Sequence, residues 1–133
     1  MNALNGFAPA VLSLLRIAAA YMFLLHGTAK FFSFPVSMGG GVPSGIYLAA
    51  GILEVGGGIL LLLGLLTRPV AFILSGQMAV AYFMAHASQG NPLFPIANGG
   101  ESAALFSFVF LYLAAAGGGA WSLDKLFCKN RSE

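Results

Sequence analysis

Three ionisable residues fall in one apolar stretch near the start of the chain: Arg16 in LLRIAAAYMF, then His26 and Lys30 in LLHGTAKFF. A carboxylate, Glu54, interrupts a second apolar run, GILEVGGGILLLLGLL, while His86 closes a third run and Glu101 opens a fourth. Charged groups in lipid are expensive, so they turn toward protein or water, pair with one another and default to a functional reading. Two kinds of chemistry suit such a set. A carboxylate beside an imidazole can exchange a proton near neutral pH, and a fixed cation beside them favours the anionic form of a bound group.

Helical geometry bears on which of them meet. At about 100° per residue, with Arg16 as zero, Phe23 falls near ~340°, Lys30 near ~320° and His26 near ~280°. The three bases therefore share one stripe. At about 1.5 Å per residue, Lys30 lies near the outer surface, His26 roughly 9 Å in, and Glu54 roughly 12 Å in from the start of its own run. On that estimate Glu54 takes His26 as its first partner and Arg16 as its second. Glu101 either pairs with Lys30 or favours the start of a helix. The expected site is a polar pocket in the outer half of a bundle. His26 and Glu54 handle protons there, and Arg16, His26, Lys30, Glu54 and Glu101 surround the head of a ligand.

Each residue also has a plainer reading. Ion pairs can simply fix helix register, Lys30 can snorkel to the interface, and Arg68 before Pro69 reads as a topology anchor. Gln77, Tyr21 and Tyr82 suit interhelical hydrogen bonds. Phe23, Phe31, Phe32 and Tyr82 can line a slot or merely pack. His86 reads as a solvated end residue. Haem is not expected, because its axial ligands face each other across one macrocycle, and His26 and His86 differ in estimated depth. A metal held by His26, His86, Glu54 and Glu101 requires three or four helices to converge, and no metal site is expected.

The elements that must position these groups are set by composition. Of 133 residues, 59% are hydrophobic and 8% charged, against about a quarter charged in a soluble domain. The expectation is an all-α transmembrane four-helix bundle, a single four-span domain over residues 1–133. The spans run about 9–32, 46–66, 69–86 and 101–116, each near the ~20 residues a bilayer needs. The first 32 residues have an apolar run too long for a signal peptide and no basic residue ahead of it, so they read as a retained span. The tight link from Gly64 to Pro69 makes spans two and three an antiparallel hairpin. Trp121 reads as an interface anchor. Small residues, such as Ala18 to Ala20 and Gly56 to Gly58, let helices approach closely.

Four spans bring both termini to one side, together with Arg68, Lys125, Lys129 and Arg131. The positive-inside rule then puts both termini in the cytoplasm of a bacterial inner membrane. With a net charge of only +2 and scattered bases, nucleic acid is not a partner. Cys128 is the only cysteine, which excludes an internal disulfide or a Cys-x-x-Cys pair.

At this level the sequence resembles the DoxX family of small four-span membrane proteins. The matching parts are LLRIAAAYMFLLHGTAKFF, GILEVGGGILLLLGLLTRPVA, NGGESAALF and SLDKLF, in the family's order and over nearly the whole chain. LEVGGGILLLLGLLTR is the most specific of them. The resemblance implies a four-helix membrane bundle, and a link to thiosulfate:quinone oxidoreductase subunits and membrane-associated oxidoreductase complexes. The positions carried over are Arg16, His26, Lys30, Glu54, Arg68 and Glu101.

Taken together, the expected function is that of a membrane subunit of a redox complex, non-autonomous as an oxidoreductase. It holds quinone or quinol in the intramembrane pocket, has no covalent cofactor, and takes electrons from a partner subunit. The competing expectations are an anchor or assembly factor that docks a partner through the loops Ser33 to Gly45 and Ala87 to Gly100, and a small transporter or lipid-binding protein. Small-residue faces also make a homo-oligomer an expected state.

Overall fold

The computed structural model describes residues 2–32, 34, 45–86 and 90–131, and all secondary structure among them is helical. The elements are α1 (Asn2–Asn5), α2 (Ala8–Phe32), α3 (Ile46–Leu63), α4 (Thr67–Ala81), a π-helical turn (Tyr82–His86) that continues α4, α5 (Pro95–Asn98), α6 (Glu101–Ala116) and α7 (Leu123–Arg131). Most of the first loop, and residues 87–89 of the second, lie outside the described residues. The docking surfaces expected there are therefore not described.

Two helices, α2 and α3, are long and apolar enough to cross a membrane. α4 and its π-helical extension together run about 30 Å, and α6, a shorter apolar helix of 16 residues, about 24 Å. The second apolar run stops sooner than its hydropathy suggests. α3 ends at Leu63 because Gly64 adopts the left-handed conformation and caps it. α4 then starts at Thr67, before Pro69. Proline is tolerated in a first turn, where its missing N–H has no helical acceptor to lose.

The four long helices share one core, with Ala19, Ala20 and Phe23 from α2, Leu61 from α3, Ala71, Leu74 and Met78 from α4, and Phe110 and Leu113 from α6. α2 packs chiefly on α3, α4 on α6, and α3 on α4, while α2 and α6 stand further apart and meet through the rings of Phe23, His26, Phe106 and Phe110. The outward faces carry exposed Met22, Ile52, Ile59, Phe72, Ile73, Leu105, Phe108 and Leu111. So wide an apolar surface belongs to a protein bathed in lipid rather than water.

Glycines set the register of the α2–α3 pair. A Cβ on Gly27 would lie 2.7 Å from Val55 Cγ2 and 3.1 Å from Glu54 Cβ, and one on Gly58 would lie 3.1 Å from Leu24 Cβ. The Phe31 ring covers Gly51, at 2.7 Å from a Cβ built there. In this antiparallel register Ile46 overshoots the end of α2 by about one turn, ~6 Å.

Candidate functional site

That overshoot decides which base meets Glu54. A depth estimate that starts both spans at the same level puts Glu54 beside His26. In the observed register Glu54 stands roughly level with Thr28, about two residues from both Lys30 and His26. Direction then chooses between them. With Arg16 again as zero, the α3-facing residues Gly27, Phe31 and Leu24 fall near ~20°, ~60° and ~80°, so Lys30 near ~320° is closer to that face than His26 near ~280°. Lys30 Nζ donates to Glu54 Oε1 at 2.6 Å, and this is the ion pair found among the described residues. The pairings expected for Glu54 with His26 or Arg16, and for Lys30 with Glu101, do not form.

Glu54 is 3% exposed. Its second oxygen, Oε2, is buried and has no hydrogen-bond partner among the described residues. Gln77 on α4 reaches across to α3, where Nε2 donates to the Ala50 carbonyl at 3.4 Å. Its Oε1 is likewise buried and without a partner. This bears out Gln77 as a tie between helices, but the reading by residue type missed its free oxygen.

His26 turns toward α6. Its Nδ1 lies 2.9 Å from the Met22 carbonyl, and since a carbonyl only accepts, Nδ1 carries the hydrogen. With Nδ1 committed, Nε2 is the nitrogen left to face the cavity. The ring meets Phe106 edge-on, with centroids 5.9 Å apart.

These four polar residues line one cavity of about 520 Å³, together with Tyr47, Ser102 and apolar side chains such as Phe23, Met78, Met84 and Phe106. Part of the wall is the π-helical turn, a feature that recurs at functional sites. A second hollow of about 580 Å³ follows the seam where α2 and α6 are thinly packed, from Leu15 and Val109 to Ala29 and Ser102. The two hollows share His26, Ser102 and Phe106. Of the aromatic residues considered for a slot, only Phe23 lines the chamber. Phe31 covers Gly51, Phe32 is exposed, and Tyr82 donates to the Pro92 carbonyl at 2.5 Å. Glu101 is exposed in the first turn of α6 and does not line the chamber. The side chains of His86 and Cys128 lie outside the described residues.

Arg16 shares the stripe but not the site, because fourteen residues of helix, about 21 Å, separate it from Lys30. It is 1% exposed and donates to the carbonyls of Gly118 and Trp121, the latter at 2.8 Å. The same segment is held by Ser13, whose hydroxyl donates to the Gly118 carbonyl at 3.1 Å and accepts from Trp121 N–H at 2.9 Å. Ala120 N–H donates to the Pro9 carbonyl at 3.1 Å.

Asp124 completes this knot. Its two oxygens accept from Leu66 N–H at 2.7 Å and Thr67 N–H at 2.8 Å, capping α4, and its own N–H donates to the Gly64 carbonyl at 2.9 Å. Arg68 donates to the Ala115 carbonyl at the end of α6. The start of α2, the α3–α4 turn and the end of α6 thus gather at one end of the molecule, and the chamber lies toward the other.

An all-helical membrane protein with one polar chamber enclosed among apolar helices is the class these features define. Residues 11–87 match the DoxX family model, and the chain belongs to that family. It is 56% identical to a Haemophilus influenzae chain described as "uncharacterized protein", over 97% of this chain and 99% of the relative. It is 28% identical to the inner membrane protein YphA of Escherichia coli K12, over 94% of this chain and 99% of that one. No solved structure matches it.

Proposed function

We propose that the protein is a four-span subunit of the bacterial inner membrane that holds the head of a quinone or quinol in the chamber. The observation that carries this reading is the Lys30–Glu54 pair in the wall of a largely apolar cavity, with one carboxylate oxygen unused among the described residues. A lipid-soluble redox carrier needs an apolar space with a few fixed polar groups. Lys30 stabilises negative charge on the head, and Glu54 and His26 are the groups that can move a proton. The tail follows the α2–α6 seam, which adjoins the chamber at His26, Ser102 and Phe106. Arg16 and Glu101 have no part in binding the head.

On this reading electrons pass to or from a partner subunit. The E. coli relative's name supports the inner membrane. The bases Arg68, Lys125, Lys129 and Arg131 favour a cytoplasmic location for both termini and a periplasmic one for the chamber. The test is binding of a short-tailed quinone analogue to the purified protein in lipid nanodiscs. Saturable binding that Glu54→Gln and Lys30→Met weaken supports the proposal, and no saturable binding to the folded protein overturns it.

A further inference from the structure

The chamber's unused hydrogen-bonding capacity is lopsided. Glu54 Oε2 and Gln77 Oε1 are both buried, both lie on residues of the chamber wall, and neither has a partner among the described residues. Both atoms only accept. The Gln77 amide is oriented by the Ala50 carbonyl, because turning it over would set two acceptors face to face. The third polar group, His26, has its Nδ1 hydrogen committed to Met22, so it brings no free donor from that nitrogen. On the donor side, Lys30 Nζ already gives one hydrogen to Glu54. Ser102, on the shared rim, and Tyr47, on the α3 wall, can each donate or accept and do not discriminate.

A buried acceptor left without a donor is costly, and most of all a carboxylate oxygen. A ligand that brings hydroxyl hydrogens to Glu54 and Gln77 relieves that cost. A ligand that brings only carbonyl oxygens leaves it standing and adds acceptor-to-acceptor repulsion. We infer that the chamber selects a hydrogen-bond-donating head, a hydroxylated aromatic ring. Resting on the quinone-linked reading above, this makes the quinol the form held tightly and the quinone the form held weakly. One charge-assisted bond to a buried carboxylate sets the scale, about tenfold or more in affinity. By linkage, a tenfold preference raises the midpoint potential of the bound two-electron couple by about 30 mV.

Four ligands with the same decyl tail test this, each titrated anaerobically into the protein in nanodiscs by calorimetry. They are the hydroquinone, the benzoquinone, the hydroquinone dimethyl ether and para-decylphenol. The expected result is that the hydroquinone binds about tenfold or more tighter than both the quinone and the ether, with Gln77→Leu reducing that margin. The ether is decisive, since it keeps ring, tail and oxygens and lacks only the donors. Quinone or ether binding as tightly as the hydroquinone overturns donor selection while leaving the quinone-linked reading intact. Phenol and hydroquinone binding with no quinone bound at any accessible concentration upholds donor selection and overturns the redox reading. No binding by any of the four overturns both.

Discussion

Lys30 and Glu54 meet slightly out of level: the ammonium leans along the α2–α3 seam to reach a carboxylate that is far more buried than itself, with side-chain exposures of 21% and 4%. The asymmetry matters because the lysine has an escape and the carboxylate has none. A lysine near a helix end can turn its head toward water, whereas Glu54 deprived of its partner is a bare charge in apolar packing.

The two single substitutions should therefore cost unequal amounts. Lys30→Met is expected to destabilise by about 3–5 kcal/mol and Glu54→Gln by about 1 kcal/mol, with much of the first loss recovered in the double variant. Unfolding of all three in detergent micelles gives the cycle. Equal single losses that simply add would show that the pair is not coupled.

The seam should be sensitive to single methyl groups in a position-specific way. Gly27→Ala drives a methyl into Val55 and Glu54 and is expected to cost about 1–3 kcal/mol. Gly56→Ala, at the residue after Val55 on α3, meets nothing within 4 Å and should be neutral or slightly stabilising. Melting temperatures of the two variants, compared with the parent, settle the point, and a matched drop would mean that the close approach at Gly27 is wrong.

Arg16 should be separable from ligand binding. Arg16→Lys cannot serve two backbone carbonyls in the same forked geometry and is expected to lose about 2 kcal/mol or more of stability. The affinity of the folded fraction for a quinol analogue should stay at the parent value. A large affinity loss in a variant that remains folded would return Arg16 to the chamber.

Asp124 acts as a helix cap supplied from far along the chain, and Asp124→Ala is expected to cost about 1–2 kcal/mol. It also steadies Leu66, which has φ 53° and the strain a branched side chain meets there. Amide exchange should quicken at Leu66 and Thr67 before it does in the middle of α4. Uniform quickening along the helix would point to global loss of stability instead.

How far the sequence could be read varies by residue. Glu54 was legible because a carboxylate in an apolar run has few explanations. Its partner was not, since the choice between His26 and Lys30 turns on one turn of overshoot between α2 and α3. That offset is set by contacts of Gly27, Gly51 and Gly58 that no periodicity displays. Arg16 was legible as protein-facing and, from the rise per residue, as the deepest of the three bases, but its partners, the Gly118 and Trp121 carbonyls, lie about a hundred residues away and left no local signal. Asp124 and the free oxygen of Gln77 carried no local signal. Asp124 acts on backbone groups 57 residues away, and the Gln77 oxygen is defined only by where its nitrogen points. The helices were the easiest part. Their ends shifted where Gly64 imposed a cap that hydropathy does not measure.

The knot formed by residues 117–124 bears on how the chain is made. The carbonyls that hold the Arg16 guanidinium, those of Gly118 and Trp121, are made more than a hundred residues after it. Until residues 117–124 are made, a nascent chain therefore carries an unsatisfied cation in α2 and an uncapped α4. A copy that lacks residues 117–124 keeps both defects and so differs from an intact one by a charge that has found no home.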